Sequence, residues 1–190
     1  MARPRSEEKK AALLDAATNV VALHGLGAST ASIARLAGVA EGTLFRYFST
    51  KDSLFNKLYL HLKQGLREAM RRSFVVRLPM KDRVRSLWDG YIDWGIAHPS
   101  SVKALNRLAD SESITPATKS KADKIFPEVA EVSKAIAAKG APAERPAAFA
   151  DAIFMALADT TIQFAIQDPR QAVAYRKAGF RVLWEGLTTR

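Results

Sequence analysis

Helical periodicity runs through the whole chain. From Ser6 to His24 the apolar positions Leu13, Leu14, Ala17, Val20 and Val21 recur at three- and four-residue intervals, and Ser6, Glu7 and Glu8 suit an N-cap and the positive end of a helix dipole. Gly25 ends this first helix. A short stripe of Ile33, Ala34, Leu36 and Ala37 follows, behind Ser29 and Thr30 at the capping position. The break Gly38-Val39-Ala40 separates it from a second short helix over residues 41–48. Two short helices about a three-residue break have helix-turn-helix spacing. In the second of them Leu44 and Phe48, four apart, define a buried side and leave Gly42, Thr43, Arg46 and Tyr47 on the opposite one.

The pattern then lengthens. Leu54, Phe55, Leu58, Leu62, Leu66, Met70 and Phe74 predict one helix over residues 51–74, on which Lys63, Arg67 and Arg71 read as a solvated face. Leu78-Pro79 interrupts it. Residues 80–98 form the next helix, with Trp88, Tyr91 and Trp94 on it, and Pro99 opens another carrying Val102, Leu105 and Leu108. A helix over residues 115–139 is expected to be kinked or split at Pro127. Residues 139–146 read as a loop by their Gly and Pro content. Residues 146–167 are apolar around most of the helix circumference, which requires burial on more than one side, and a last helix spans residues 170–186. The class is all-α. An N-terminal three-helix helix-turn-helix domain occupies residues 1–51, and residues 52–190 form a second, helical domain.

Charge sharpens this picture. The formal net charge is +10, and residues 57–85 alone hold nine Lys/Arg against two Asp/Glu, which suits a polyanionic partner. Cysteine is absent, which excludes disulfides and thiolate-bound zinc, and His24, His61 and His98 lie too far apart to suggest a metal site; no cofactor is expected. Residues 1–10 lack the apolar core of a secretory signal, and no apolar run reaches the ~18 residues of a membrane span, so a cytoplasmic protein with no membrane partner is expected. Nucleotide-binding glycine loops and nucleophile–base spacings are missing, so an enzyme is not expected. The arm Met1 to Arg5, with Pro4 opposing a helix, is expected to be disordered alone. Its arginines suit a minor groove, and a terminus without a role explains them equally well.

The helix over residues 41–48 carries the chemistry. A major groove about 12 Å wide admits a helix whose leading side chains are small, which Gly42 and Thr43 supply. Arg46 can reach a guanine edge or a phosphate, Tyr47 can donate its hydroxyl to a phosphate, and Lys51 adds a point charge.

Through Gly25, Thr30, Ile33-Ala34, Ala37-Gly38-Val39, Gly42-Thr43-Leu44-Phe45, Tyr47-Phe48, Lys51 and Leu54, the sequence resembles the TetR family of transcriptional regulators. The resemblance covers roughly 45 residues. It implies a homodimer, one DNA-binding domain per subunit, a larger ligand-binding and dimerisation domain, double-stranded DNA with a near-palindromic operator as partner, and a small-molecule effector. Carried over by position, it gives Thr30, Tyr47 and Lys51 as phosphate contacts and Thr43, Phe45 and Arg46 as base or groove contacts. Phe45 departs from the Tyr common there, keeping an apolar surface for a thymine methyl without a hydroxyl. Together with Ser29 and Gly42 these residues form the candidate DNA-binding set.

In the second domain, the aromatic density of Trp88, Tyr91 and Trp94 reads either as core or as a wall of an effector cavity, faced by Phe126, Phe154, Leu157 and Thr161. Asp159 reads either as a hydrogen-bonded core carboxylate or as an anchor for a cationic group. The leading function is a repressor released from its operator by a small apolar or aromatic effector. The alternative is a ligand-binding helical dimer or an enzyme with an unused helix-turn-helix.

Overall fold

The computed structural model describes residues 3–138 and 147–188. Among the described residues there are ten α-helices and no strand. They are α1 (Arg3–His24), a 3-10 turn (Gly25–Gly27), α2 (Thr30–Leu36), α3 (Glu41–Tyr47), α4 (Lys51–Ser73), α5 (Met80–Ala97), α6 (Pro99–Ala109), α7 (Pro116–Asp123), α8 (Pro127–Ala138), α9 (Ala147–Gln167), a 3-10 turn (Pro169–Gln171) and α10 (Ala172–Thr188).

Three expectations need adjusting. The first helix begins at Arg3 rather than Ser6, because Pro4 falls in its first turn, where no intrahelical N–H bond is lost. Leu36 is 58% exposed instead of buried. It sits about 100° of helix rotation from the middle of the arc formed by Ile33, Ala34 and Ala37, and a helix of two turns buries only one side. Arg67 is not a solvated charge, since it pairs with Glu128 at 3.1 Å. Pro127 does split its helix: α7 ends at Asp123 and α8 starts on the proline itself. The loop expected over residues 139–146 lies outside the described residues.

The helices gather into two compact units, drawn from Met1–Gly65 with Pro99–Ile125 and from Leu66–His98 with Phe126–Arg190. The grouping is not a single cut after residue 51. In the first unit α6 packs along α1, and the buried side chains of α1 (Leu13, Ala17, Val21), α2 (Ile33, Ala34), α3 (Leu44) and α4 (Leu54, Phe55, Leu58) belong to the same unit as Val102, Leu105 and Leu108. Two polar clamps join these elements. Arg107 on α6 donates to the Val21 carbonyl in the last turns of α1 at 2.7 Å. Asn56 on α4 donates to the Ser113 carbonyl at 2.7 Å and accepts from the Thr115 N–H at 3.0 Å.

In the second unit α9 pairs with α10, and both pack on α5. Glycine sets the closeness of these contacts. A Cβ at Gly179 would lie 2.6 Å from Thr161 Oγ1 and 2.8 Å from Trp88 Cζ2, and one at Gly95 would lie 2.2 Å from Ile162 Cδ1. The indole is rigid, and the buried, β-branched Ile162 would bring Cγ1 as well as Cδ1 under 3.0 Å from the Gly95 Cβ. Gly179→Ala and Gly95→Ala are therefore each expected to destabilise the fold by about 1–3 kcal/mol through overpacking. Urea denaturation of the two variants beside the parent checks both.

Candidate nucleic-acid interface and effector site

Residues 29–51 assemble one exposed face on a buried frame. Ser29 is the N-cap of α2, its hydroxyl accepting from the Ser32 N–H at 3.1 Å. Gly38 turns the chain at φ +68°, a left-handed conformation that suits a residue without a Cβ. Leu44 and Phe48 are buried, as the periodicity predicts, and fix the rotation of α3 about its axis. Gly42, Phe45 and Arg46 are consequently exposed, and Thr43 and Tyr47 are half-buried at the edges of the same arc. A Cβ on Gly42 would meet nothing within 4 Å, so the glycine does not serve internal packing and leaves the leading end of α3 slim.

Two members of the candidate set are already engaged. The Thr30 hydroxyl donates to the Glu41 carboxylate, which ties the start of α2 to the start of α3. The Lys51 ammonium donates to the Leu26 carbonyl at 2.8 Å and lies 5.3 Å from the centre of the Phe55 ring. An ammonium has three donors, so Lys51 keeps two for a phosphate while it pins the turn after α1 to the start of α4. Thr30 has only one hydrogen to give and would have to release Glu41 first. These internal roles were not legible in the sequence, because the partners are 11 and 25 residues away.

The second unit brings most of the other candidate set together. Trp88 and Tyr91 on α5 are buried, and Phe154 on α9 meets both edge-on, with ring centres 5.6 and 5.8 Å away. Trp94 is buried one turn further on, between the Tyr91 ring and the His98 imidazole. Thr161 is buried and donates to the Leu157 carbonyl at 2.7 Å, while Leu157 and Phe126 are half-buried. The Trp88 N–H donates to the Arg176 carbonyl on α10 at 3.2 Å, so both the ring and the polar edge of this tryptophan are used in packing.

The Tyr91 hydroxyl donates to Asp159 Oδ1 at 3.0 Å. Burial, and then the nearby Asp159 charge, push the Tyr91 phenol well above its ordinary value near 10. A raised folded-state value means that the neutral phenol stabilises the fold fully below the unfolded value, and that this contribution is lost as pH rises past it. Stability is thus expected to fall above about pH 10. Thermal melts of Tyr91→Phe across that range should show a shallower decline than the parent.

Arginines 67 and 83 escaped sequence reasoning. Arg83 on α5 is buried, pairs with Glu131 on α8 at 2.6 Å, and has its guanidinium 5.6 Å from the centre of the Phe74 ring. The i, i+4 spacing of Arg83, Leu87 and Tyr91 was the available signal.

The outer surfaces of α9 and α10 carry Ile153, Phe164, Ile166, Val173 and Val182 exposed to solvent. Ile153 and Phe164 are 11 residues apart, three helical turns, and so share a face. On α10 an open depression of about 330 Å³ is lined by Ala174, Lys177, Ala178 and Arg181. Among the described residues no helix is long and apolar enough to cross a membrane.

Residues 13–58 match the model of the family described as bacterial regulatory proteins, tetR family. The uncharacterized HTH-type transcriptional regulator YhgD of Bacillus subtilis (strain 168) is 24% identical over 106 residues, which span 55% of this chain and 56% of that protein. A crystal structure from Shewanella sp. PV-4, assigned to the tetR family of transcription regulators, is 28% identical with a TM-score of 0.81, covering 93% of this chain and 96% of the other. The regulator LfrR of Mycobacterium smegmatis, solved in complex with proflavine, is 24% identical with a TM-score of 0.69, covering 96% and 99% of the two chains.

Proposed function

We infer the function from the premise that the chain is a member of the tetR family of bacterial regulatory proteins: it is a transcription regulator, and we propose that α3 enters the major groove of its operator. The observation that carries this reading is the exposed arc of Gly42, Phe45 and Arg46, flanked by Thr43 and Tyr47, on a helix whose rotation is fixed by buried Leu44 and Phe48. Arg46 and Thr43 would read bases, Phe45 would meet a thymine methyl, and Tyr47, Lys51, Ser29 and Thr30 would hold phosphates. Selection of bound sequences from random DNA, followed by titration at two salt concentrations, tests it. Affinity should fall steeply with salt as phosphate counterions are released. Arg46→Ala is expected to change the selected consensus at a cost of about 1–3 kcal/mol, whereas Lys51→Ala should weaken all sequences alike. An unchanged consensus in Arg46→Ala would make that residue a phosphate anchor only.

The protein acts as a homodimer in this reading. The apolar stripe of Ile153 and Phe164 on α9, with Ala174 and Ala178 on α10, offers a self-complementary face for an isologous contact. A two-fold dimer presents its recognition helices roughly one DNA turn apart, about 34 Å, to a near-palindromic site. Regulation is repression, relieved by a small apolar or aromatic effector bound near Tyr91, Trp94, Phe126, Phe154 and Leu157, with Trp88 and Thr161 behind them. The relative bound to proflavine supports an aromatic occupant. Emptying the operator from 99:1 to 1:99 requires the effector to favour the DNA-incompetent form by about 5.5 kcal/mol. The helix α4 supplies residues to both compact units and is the element through which that preference would reach α3.

A further inference from the structure

The positions Arg83, Leu87, Tyr91 and Trp94 lie on one face of α5, at spacings of four, four and three. A buried cation therefore stands at one end of the aromatic stripe, about 12 Å along the helix from Tyr91 at 1.5 Å per residue. Its counter-charge is unevenly placed. The Arg83 side chain is 10% exposed, while that of its partner Glu131 is 54% exposed. The guanidinium is held almost wholly inside, whereas the carboxylate reaches in from outside and can swing back at little cost. Three residues earlier on the same face of α8, Glu128 contacts Arg67 of α4 at 3.1 Å, and there the carboxylate is the more buried partner, 19% exposed against 32% for the arginine.

Both contacts run through a single Nη2, and Nε of each arginine is buried without a hydrogen-bond partner. A guanidinium whose Nε is unpaired is short of the two parallel bonds that a well-placed carboxylate would give it. The cover is also lightly held. Among Pro127 to Lys134 of α8 only Val132 is buried. Glu131 thus occupies a position that a carboxylate brought by another molecule would fill better, at the end of a buried apolar stripe that a chain or ring would enter by displacing Phe154 from Tyr91.

We propose that the effector is an amphipathic carboxylic acid, its carboxylate taken by Arg83 in place of Glu131 and its apolar body laid along Leu87, Tyr91 and Trp94. The assignment rests on the effector-responsive reading above and names the chemical class of the ligand. Exchange of Glu131 for the ligand loosens the hold of α8 on α5, which links occupancy to a change in the fold.

Calorimetric titration of the full chain with decanoate, decanol and proflavine tests it. Decanoate should bind at least tenfold more tightly than decanol. Arg83→Gln should abolish that difference and leave decanol affinity unchanged, and Glu131→Gln, by removing the internal competitor, should tighten decanoate severalfold. The last variant alters a half-exposed side chain and keeps the test decisive should Arg83→Gln fail to fold. Equal binding of decanoate and decanol, or a Glu131→Gln variant in which decanoate binds no better, overturns the assignment. Release of selected operator DNA by decanol or proflavine and not by decanoate overturns it too, while leaving the effector-responsive reading intact.

Discussion

Replacing Phe164 with glutamate is expected to yield a monomer in sedimentation and to abolish tight binding to a near-palindromic operator. Phe164 is 49% exposed in the single chain and rests against Tyr175 with ring centres 5.4 Å apart, so the substitution leaves the interior of the protomer intact. In the proposed dimer the same position is covered. A carboxylate buried there without a partner costs about 3–5 kcal/mol, roughly a hundredfold or more in association. Operator affinity falls with it, because one recognition helix replaces two linked ones. Retention of the dimer by Phe164→Glu would place the interface on another surface. Trp184→Glu is a weaker probe, since Trp184 stacks on Phe180 within the protomer and its loss disturbs both.

The second large effect concerns Trp88. Its ring is fully buried against Phe154, Phe180 and the Cβ-free surface of Gly179, and its N–H is bonded to Arg176. Trp88→Ala should therefore destabilise the protein by about 3–5 kcal/mol, enough to move a chemical denaturation midpoint far from the parent. Trp94→Leu preserves volume better and should cost less, while altering the response to an effector. Should Trp88→Leu and Trp94→Leu both keep the full effector response, these tryptophans are core and the effector lies elsewhere. The packing of Trp88 already favours a supporting role for it, behind ring surfaces contributed by Tyr91 and Phe154.

Much of the first unit was legible in the chain. Leu44 and Phe48 could be placed inside from their spacing alone, and Gly38 could be placed at a left-handed turn from its position after the last apolar residue of α2. Local physics decides these points, because hydrogen bonds, caps and the 3.6-residue period all act within a few residues. The split at Pro127 belongs with them, since a missing N–H acts where it stands. Leu36 shows the limit: hydrophobicity proposes a buried side, but a two-turn helix has room for few buried positions, and packing chose Ile33 and Ala34.

What lay beyond the sequence was partnership across long separations. The sequence determined an all-α chain, the order of its helices and the side of α3 turned outward, because each follows from steric and hydrogen-bonding rules that operate along one helix. Only the tertiary structure decided that α6 and α7 join the helix-turn-helix unit, that Arg107 and Asn56 clamp it, that Lys51 spends a donor on Leu26, and that Arg83 is buried against a half-exposed glutamate. A lysine or arginine reads the same in sequence whether solvated or buried. Its role is set by the desolvation and partners that arrive when helices distant in the chain pack together.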